Sequence, residues 1–345
     1  MPRRLLPLVV LTGVVLGACS TGMPGGSTRQ AKDIHSLYVF ILILALAVFF
    51  AVEFAIVWSV LRYRRRPGDD ELPKQTHGHF GVEILWTAIP TVIVATLFIL
   101  SLRTLDRVDA KEAAPSETIE VTGFQWQWTF KYPAEGVVIR GSTEKPPEMV
   151  LPVNEPIRIK EKSADVIHSF YVPNFNFKRD VIPGYENSFD FTPTEKRVFR
   201  GQCAEFCGLL HNKMTFSIRV VDRAEFEAWV AEQKRLAEEA IAKCGDPTDS
   251  VKITAQNIQF DKACLPIKAN VPFTIEFENK DNVTHNVDIY EDETAAKTLM
   301  DPAHLPVVFA GPGSRTYEVP AGIPEGTFFF RCDVHPVMQG TVITR

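Results

Sequence analysis

The chain has 345 residues, 46% of them hydrophobic, and a formal net charge of −5. That length accommodates two globular domains plus membrane segments, and the acidic balance offers no basic surface for nucleic acid. Six cysteines are too few for a disulfide scaffold, so each is read for a separate role.

Residues 1–18 read as an export signal. Arg3 and Arg4 precede an apolar stretch over residues 5–16, and Leu16-Gly17-Ala18-Cys19 follows. This is the order of a secretory signal. A small-residue cleavage site ending in Cys resembles a bacterial lipoprotein signal, with Cys19 as the lipid-anchored first residue. The alternatives are an ordinary signal peptide with a bystander cysteine, or an unprocessed anchor. Residues 19–36, rich in Gly, Ser and Thr at 21–28, are expected to form a flexible tether.

Residues 37–103 are expected to form a transmembrane hairpin. The apolar runs at 37–61 and 82–102 are each long enough to cross a bilayer as a helix. Arg62, Arg64, Arg65, Arg66 and Lys74 lie between them, and the positive-inside rule puts that loop in the cytoplasm and everything after Arg103 outside. Carboxylates within a membrane are costly and often functional. For Glu53 the plainer alternative is a partner helix; Glu83 sits at the cytoplasmic mouth, where solvation is cheap.

From 104 to 222 the chain has short strand-like runs, among them 118–122, 157–160 and 197–200, broken by Pro and Gly. Regularly spaced short strands with turn signals predict a β-sandwich. Near its end stands Gly201-Gln-Cys203-Ala-Glu205-Phe-Cys207-Gly-Leu-Leu-His211-Asn-Lys-Met214. Thiolates and a thioether are soft donors and imidazole is borderline, a set that suits copper far better than magnesium or calcium. A disulfide, a redox pair or a zinc site is a poorer reading, because zinc rarely recruits a thioether. The loop lacks a second nitrogen donor. His168, in Ile167-His168-Ser-Phe-Tyr-Val-Pro173, supplies one if a Greek-key sandwich brings the two segments to one end. Two thiolates bridging two coppers then make a binuclear centre, with His168 and His211 capping one metal each and Met214 as a weak axial donor. The backbone carbonyl of Glu205 is available as the opposite axial donor. Such a centre suits electron transfer rather than bond making.

Residues 223–249 are rich in Ala, Glu, Lys and Leu, with Phe226, Val230 and Leu236 at helical spacing, and read as a helical linker ended by Gly245-Asp-Pro247. Residues 250–345 are a second run of short strands, at 251–254, 273–278, 285–290, 316–319 and 327–331. The run ends in Cys332-Asp-Val-His335-Pro-Val-Met338 and also contains Thr284-His285-Asn286. One Cys, two His and one Met are the ligand set of a mononuclear blue-copper site: His285, Cys332 and His335 in the plane and Met338 axial. For Cys244 and Cys264 a disulfide is left open. His304, like His35, His77 and His79, has no evident partner and reads as a surface residue.

The motifs together resemble subunit II of a haem–copper cytochrome c oxidase. The resemblance spans about residues 35 to 230. It rests on Glu83-Ile-Leu-Trp86-Thr-Ala-Ile-Pro90, Gly123-Phe-Gln-Trp126-Gln-Trp128, His168-Ser-Phe, Asp180-Val-Ile-Pro183-Gly184, and Gly201 to Met214. It implies a binuclear CuA centre on His168, Cys203, Glu205 (through its carbonyl), Cys207, His211 and Met214. It also implies that electrons come in through Trp126, that the Glu205 carboxylate binds magnesium at the interface with the catalytic subunit, and that Glu83 lies near a proton-uptake mouth. Tyr185 departs from the pattern, standing where many relatives carry a basic residue paired with haem propionates.

The segment after residue 249 lies beyond the usual family pattern and resembles small cupredoxins. Cys-x-x-Cys-His is absent, which excludes the fused cytochrome tail of some relatives. The fold class implied is two transmembrane helices followed by two all-β cupredoxin-like Greek-key sandwiches. The function implied is an electron-receiving subunit of a respiratory terminal oxidase in a bacterial plasma membrane, with its copper domains on the outer face. Electrons from cytochrome c or an equivalent donor, such as a complex held in a supercomplex, would reach CuA through the C-terminal copper. They would then pass to haem in a partner that reduces oxygen and pumps protons. A copper-delivery lipoprotein is the rival class, against which six Met and eight His weigh. A quinol-oxidase subunit is expected to lack the CuA ligands. The Glu83–Pro90 helix disfavours a nitrous-oxide-reductase-like protein.

Overall fold

A computed structural model describes residues 22–64, 68, 75, 77–141, 145–292, 295, 297–300, 307–335 and 338–345. The expected signal peptide, Cys19, His304 and, in the basic loop, Arg65, Arg66 and Lys74 lie outside the described residues.

Two long helices come first, α1 (Arg29–Tyr63) and α2 (Phe80–Asp109). Helix α1 begins inside the stretch expected to be a tether, which corrects that boundary. The reason is local: Thr28 Oγ1 accepts a hydrogen bond from the Ala31 N–H at 3.0 Å, an N-cap that stabilises a helix start by about 1 kcal/mol. Helix α2 starts with a reciprocal cap. His79 Nδ1 accepts from the Val82 N–H at 3.3 Å, and Glu83 Oε1 accepts from the His79 N–H at 3.1 Å. His79 is therefore a capping residue rather than an idle surface one. At about 1.5 Å per residue, the 35 residues of α1 exceed the roughly 30 Å hydrocarbon core of a bilayer. Apolar side chains such as Phe54 and Phe98 are exposed around both helices, the surface that lipid covers in a spanning helix.

Lys111–Pro173 and Phe177–Arg345 form a separate unit built on two sandwiches. The first uses β1 (Glu117–Phe124), β2 (Gln127–Tyr132), β3 (Val137–Arg140), β4 (Glu148–Pro152) and β5 (Ile157–Ser163). It continues with β6 (His168–Val172), β7 (Phe177–Val181), β8 (Asn187–Phe191), β9 (Val198–Cys203) and β10 (Thr215–Val221). One sheet runs β3-β2-β1-β5-β8 and the other β4-β10-β9-β6-β7. The pairs β1·β5 and β4·β10 are parallel, which requires crossovers between sheets rather than simple hairpins. Trp128, Phe130, Phe170 and Phe216 fill the space between them.

Helix α3 (Arg223–Lys243) buries Phe226 and Val230, with Trp229 5.2 Å from the ring of Tyr132. Its C-cap, Cys244, is bonded to Cys264, with Cα atoms 5.6 Å apart; the disulfide left open by the sequence is formed.

The second sandwich uses β11 (Ser250–Gln256), β12 (Gln259–Phe260), β13 (Cys264–Ile267), β14 (Phe273–Asn279) and β15 (Thr284–His285). Then come β16 (Asp288–Tyr290), β17 (Phe309–Ala310), β18 (Gly313–Val319), β19 (Gly326–Arg331) and β20 (Gln339–Thr344). Its sheets run β12-β11-β14-β18 and β13-β20-β19-β16, again with one parallel pair in each, β11·β14 and β13·β20. The order and sense of pairing in these two sheets repeat those of the first sandwich without β3 and β7, while β15 and β17 pair apart from both sheets, so both sandwiches are cupredoxin-like. The run expected as one strand over 285–290 is two, β15 and β16, parted at Asn286. There the side chain turns to Asp333, its Oδ1 accepting from the backbone N–H at 2.9 Å and its Nδ2 donating to Oδ2 at 2.7 Å.

Candidate metal centres

In the first sandwich the expected residues converge. His168 opens β6 and Cys203 closes β9, neighbouring strands of one sheet, and the loop from Cys203 leads back into β10 through Met214. Cys203 Sγ lies 3.9 Å from Cys207 Sγ and 3.9 Å from His168 Nδ1. Cys207 Sγ lies 3.5 Å from His211 Nδ1 and 3.7 Å from Met214 Sδ, and the Glu205 carbonyl is 3.3 Å from Cys203 Sγ. Both thiols, His168 and Met214 are buried. The close approach has a steric basis. A Cβ on Gly201 would meet the Phe216 ring at 2.1 Å, and Gly208 turns the loop at φ +115° against the Trp126 indole.

His168 is aimed by its other nitrogen. His168 Nε2 donates to Asp165 Oδ1 at 2.8 Å, which leaves Nδ1 facing the sulfurs. Asp165 is fixed in turn by the N–H groups of Gln125 and Val166, at 2.7 and 2.6 Å. Burial pushes the Asp165 carboxyl up, but His168 and these two N–H groups outweigh it and hold the group below its ordinary value. Burial likewise opposes ionisation of Cys203, yet His168 and neighbouring backbone groups hold that thiol low. Cys207 is pushed up to about 12 by burial and then by Cys203 beside it. A cation at this site therefore displaces protons on binding. Two sulfurs within bridging range, each with its own imidazole, fit a pair of copper ions.

The second sandwich brings His285, Cys332 and His335 together in the same way. Cys332 Sγ lies 3.7 Å from His285 Nδ1 and 4.0 Å from His335 Nδ1, and the two imidazole nitrogens are 3.1 Å apart. Met338 is 2% exposed and shares a core with Cys332; its carbonyl accepts from the Cys332 N–H at 2.9 Å. His285 Nε2 donates to Asp281 Oδ2 at 3.0 Å, and Asp281 also accepts from the Asn257 and Ile258 N–H groups. Burial raises the Cys332 thiol and, with the charge of His285, lowers His335. Two imidazoles, one thiol and a nearby thioether fit a single copper ion.

The other expected residues fall as follows. Trp126 is half-buried, and its Nε1 donates to the Cys207 carbonyl at 3.1 Å. The Glu205 carboxylate joins no cluster of three or more metal-ligand side chains among the described residues. Glu83 sits in the first turn of α2. Asp165, Asp281 and Asn286 were not singled out from the sequence. The signal for the two carboxylates was an Asp three residues ahead of His168 and four ahead of His285.

Fold and site together define a membrane-anchored protein carrying two cupredoxin-like domains. Residues 17–104 match the transmembrane domain of cytochrome c oxidase subunit II, and residues 142–221 match its periplasmic domain. Subunit 2 of cytochrome c oxidase from Alkalihalophilus pseudofirmus is 31% identical, over 76% of this chain and 75% of that protein. The crystallised periplasmic domain of cytochrome oxidase subunit II from Bradyrhizobium japonicum is 39% identical over 35% of this chain and 96% of its own, with a TM-score of 0.34. Auracyanin A, a "blue" copper protein from Chloroflexus aurantiacus, is 19% identical over 29% of this chain and 99% of its own, with a TM-score of 0.23. The chain belongs to the cytochrome c oxidase subunit II family. It is the CuA subunit through which a haem–copper oxidase receives electrons, it spans the membrane with two helices, and it acts in complex with the catalytic subunit.

Proposed function

We propose that this subunit passes electrons through two copper centres in series. His168, Cys203, the Glu205 carbonyl, Cys207, His211 and Met214 hold binuclear CuA; His285, Cys332, His335 and Met338 hold a type 1 copper. Copper in these sites supplies reversible one-electron acceptance. The buried imidazoles of His168 and His285, each aimed by a carboxylate, hold one nitrogen donor of each set in place. An outside donor, cytochrome c or an equivalent carrier, gives its electron to the C-terminal site. The electron reaches CuA and then haem in the catalytic subunit, where oxygen is reduced and protons are pumped.

One observation carries this reading. The second sandwich repeats the wiring of the first and sets its ligands at the same two places, a His leading into one strand and a Cys ending its neighbour. Trp126, bonded to the carbonyl of Cys207, is the side chain through which electrons come into CuA. Further parts of the proposal rest on the family resemblance: magnesium on the Glu205 carboxylate, proton uptake near Glu83, and the outer face of a bacterial plasma membrane for both sandwiches. Lipidation of Cys19 rests on the sequence of the signal. The division into a signal (1–18), a tether ending at the α1 cap, a hairpin, a CuA domain (to 222), a linker (223–249) and a blue-copper domain (250–345) belongs to the same reading.

The test uses the assembled oxidase with reduced cytochrome c. Oxygen consumption should vanish in Cys207→Ser and fall in Cys332→Ser. An unchanged rate in Cys332→Ser, with its remaining copper intact, removes the C-terminal domain from the path.

A further inference from the structure

The outward face of the β1–β2 hairpin is closed off at its turn end. Val121, Trp128 and Phe130 point into the first core, so their alternate neighbours, Phe124 paired with Gln127 and Thr122 paired with Thr129, face away from it. Yet Phe124 and Gln127 are 2% exposed, Thr129 1% and Thr122 5%. Polar side chains on a sheet's outer face are normally wet. Here Gln339 Nε2 of the second sandwich donates to Gln127 Oε1 across a long 3.4 Å contact. Beside it a cavity of about 400 Å³ has Thr122 and Lys131 on one wall and Thr327 and Phe328 on the other. The covering sheet is enclosed too: Phe329 and Ile343 lie outside the second core, yet they are 3% and 6% exposed.

We infer that the two sandwiches form a fixed dock, and that the Gln339–Gln127 contact is the bridge by which electrons cross between their metal centres. The inference rests on the two-centre reading above. Gln339 follows Met338 directly, and the Met338 carbonyl is bonded to the Cys332 N–H. Gln127 lies between two tryptophans that both reach the CuA shell. Trp126 Nε1 and Gln125 Nε2 donate to the Cys207 carbonyl at 3.1 and 2.7 Å, and the Trp128 ring stands edge-on to His168 with centroids 6.1 Å apart. One through-space step between two amides therefore joins the ligand shells. In that step one electron leaves the reduced centre held by Cys332 and arrives at the oxidised centre held by Cys203 and Cys207. A reduced one-electron carrier protein restores the first centre. The amides do not titrate, so no proton moves with the electron.

The experiment takes the full chain, copper-loaded and oxidised in lipid nanodiscs, and measures the distance between the two paramagnetic centres by pulsed dipolar electron resonance. Intramolecular transfer is timed on the same samples after pulse reduction. Wild type should give one narrow distance distribution. Gln339→Lys, which puts a charge into the contact, should broaden it and slow transfer by about tenfold or more. Gln339→Ala, which removes the amide without adding charge, should slow transfer in the same direction and guards against a misfolded lysine variant. A broad distribution in wild type overturns the dock, and an unslowed rate in both variants overturns the bridge. Absence of either copper signal from wild type sinks the two-centre reading instead.

Discussion

Asp281 and Asp165 show how single residues decide what a histidine does. Each carboxylate holds the Nε2 proton of a buried imidazole and so leaves Nδ1 facing a cysteine sulfur. Partners of this kind fix the tautomer and ring orientation, and their loss typically costs metal affinity about 10–100-fold. Asp281→Ala should weaken copper binding at the second centre by about that factor and leave the first unchanged, as read by competitive copper titration. Glu161 on β5 is a different case. It is fully buried with neither side-chain oxygen hydrogen-bonded. Burial pushes its pKa from 4.5 up to about 9, with the nearby Arg179 only partly opposing. Between those two values the unfolded chain ionises this group and the folded chain does not. Its contribution to stability is therefore complete below 4.5 and is lost as pH rises through about 9, at up to about 1.4 kcal/mol per pH unit. Glu161→Gln should flatten that decline in thermal melts at acid and alkaline pH; parallel profiles for the two proteins contradict the assignment. The clustering of Cys203, Cys207, His211 and Met214 was legible because Cys203 to Met214 is one continuous loop of soft donors. Asp165, Asp281 and Glu161 were not, because an acidic residue in a strand or loop carries no mark of its burial.

Among the elements, β9 shows how backbone packing shapes the site. It must pass the Phe216 ring of β10 at Gly201, only two positions before Cys203. Gly201→Ala forces a Cβ into that ring and should destabilise the first sandwich by about 1–3 kcal/mol. Thermal unfolding measures it, and a melt equal to wild type shows that the strand can shift. The strand runs named from the sequence fall on strands, most to within a few residues at each end, while many other strands, β2 and β6 among them, were not singled out. The tether boundary was misread because the Gly/Ser-rich run hides Thr28, whose role appears only once its hydroxyl meets the Ala31 N–H. The break at Asn286 was hidden for a similar reason: it depends on Asp333, distant in sequence. The Cys244–Cys264 bond pins the end of α3 to β13, a pairing that spacing alone left undecided.

At the scale of the whole chain, one sandwich plan is used twice after a membrane hairpin. The duplication was visible in the two ligand motifs. What covers each outer sheet face was not, since Gln127 looks like an ordinary surface residue until the structure buries it against a half-buried Gln339. Two ligand sets on one chain are the central claim. The most direct measurement is the copper content and electron paramagnetic resonance of the purified full chain beside Cys332→Ser. The account predicts roughly three coppers per chain in wild type, with one signal shared over two nuclei and a second mononuclear signal. The variant should lose only the mononuclear signal and one copper. Roughly two coppers in wild type, with spectra that the substitution leaves unchanged, would contradict it.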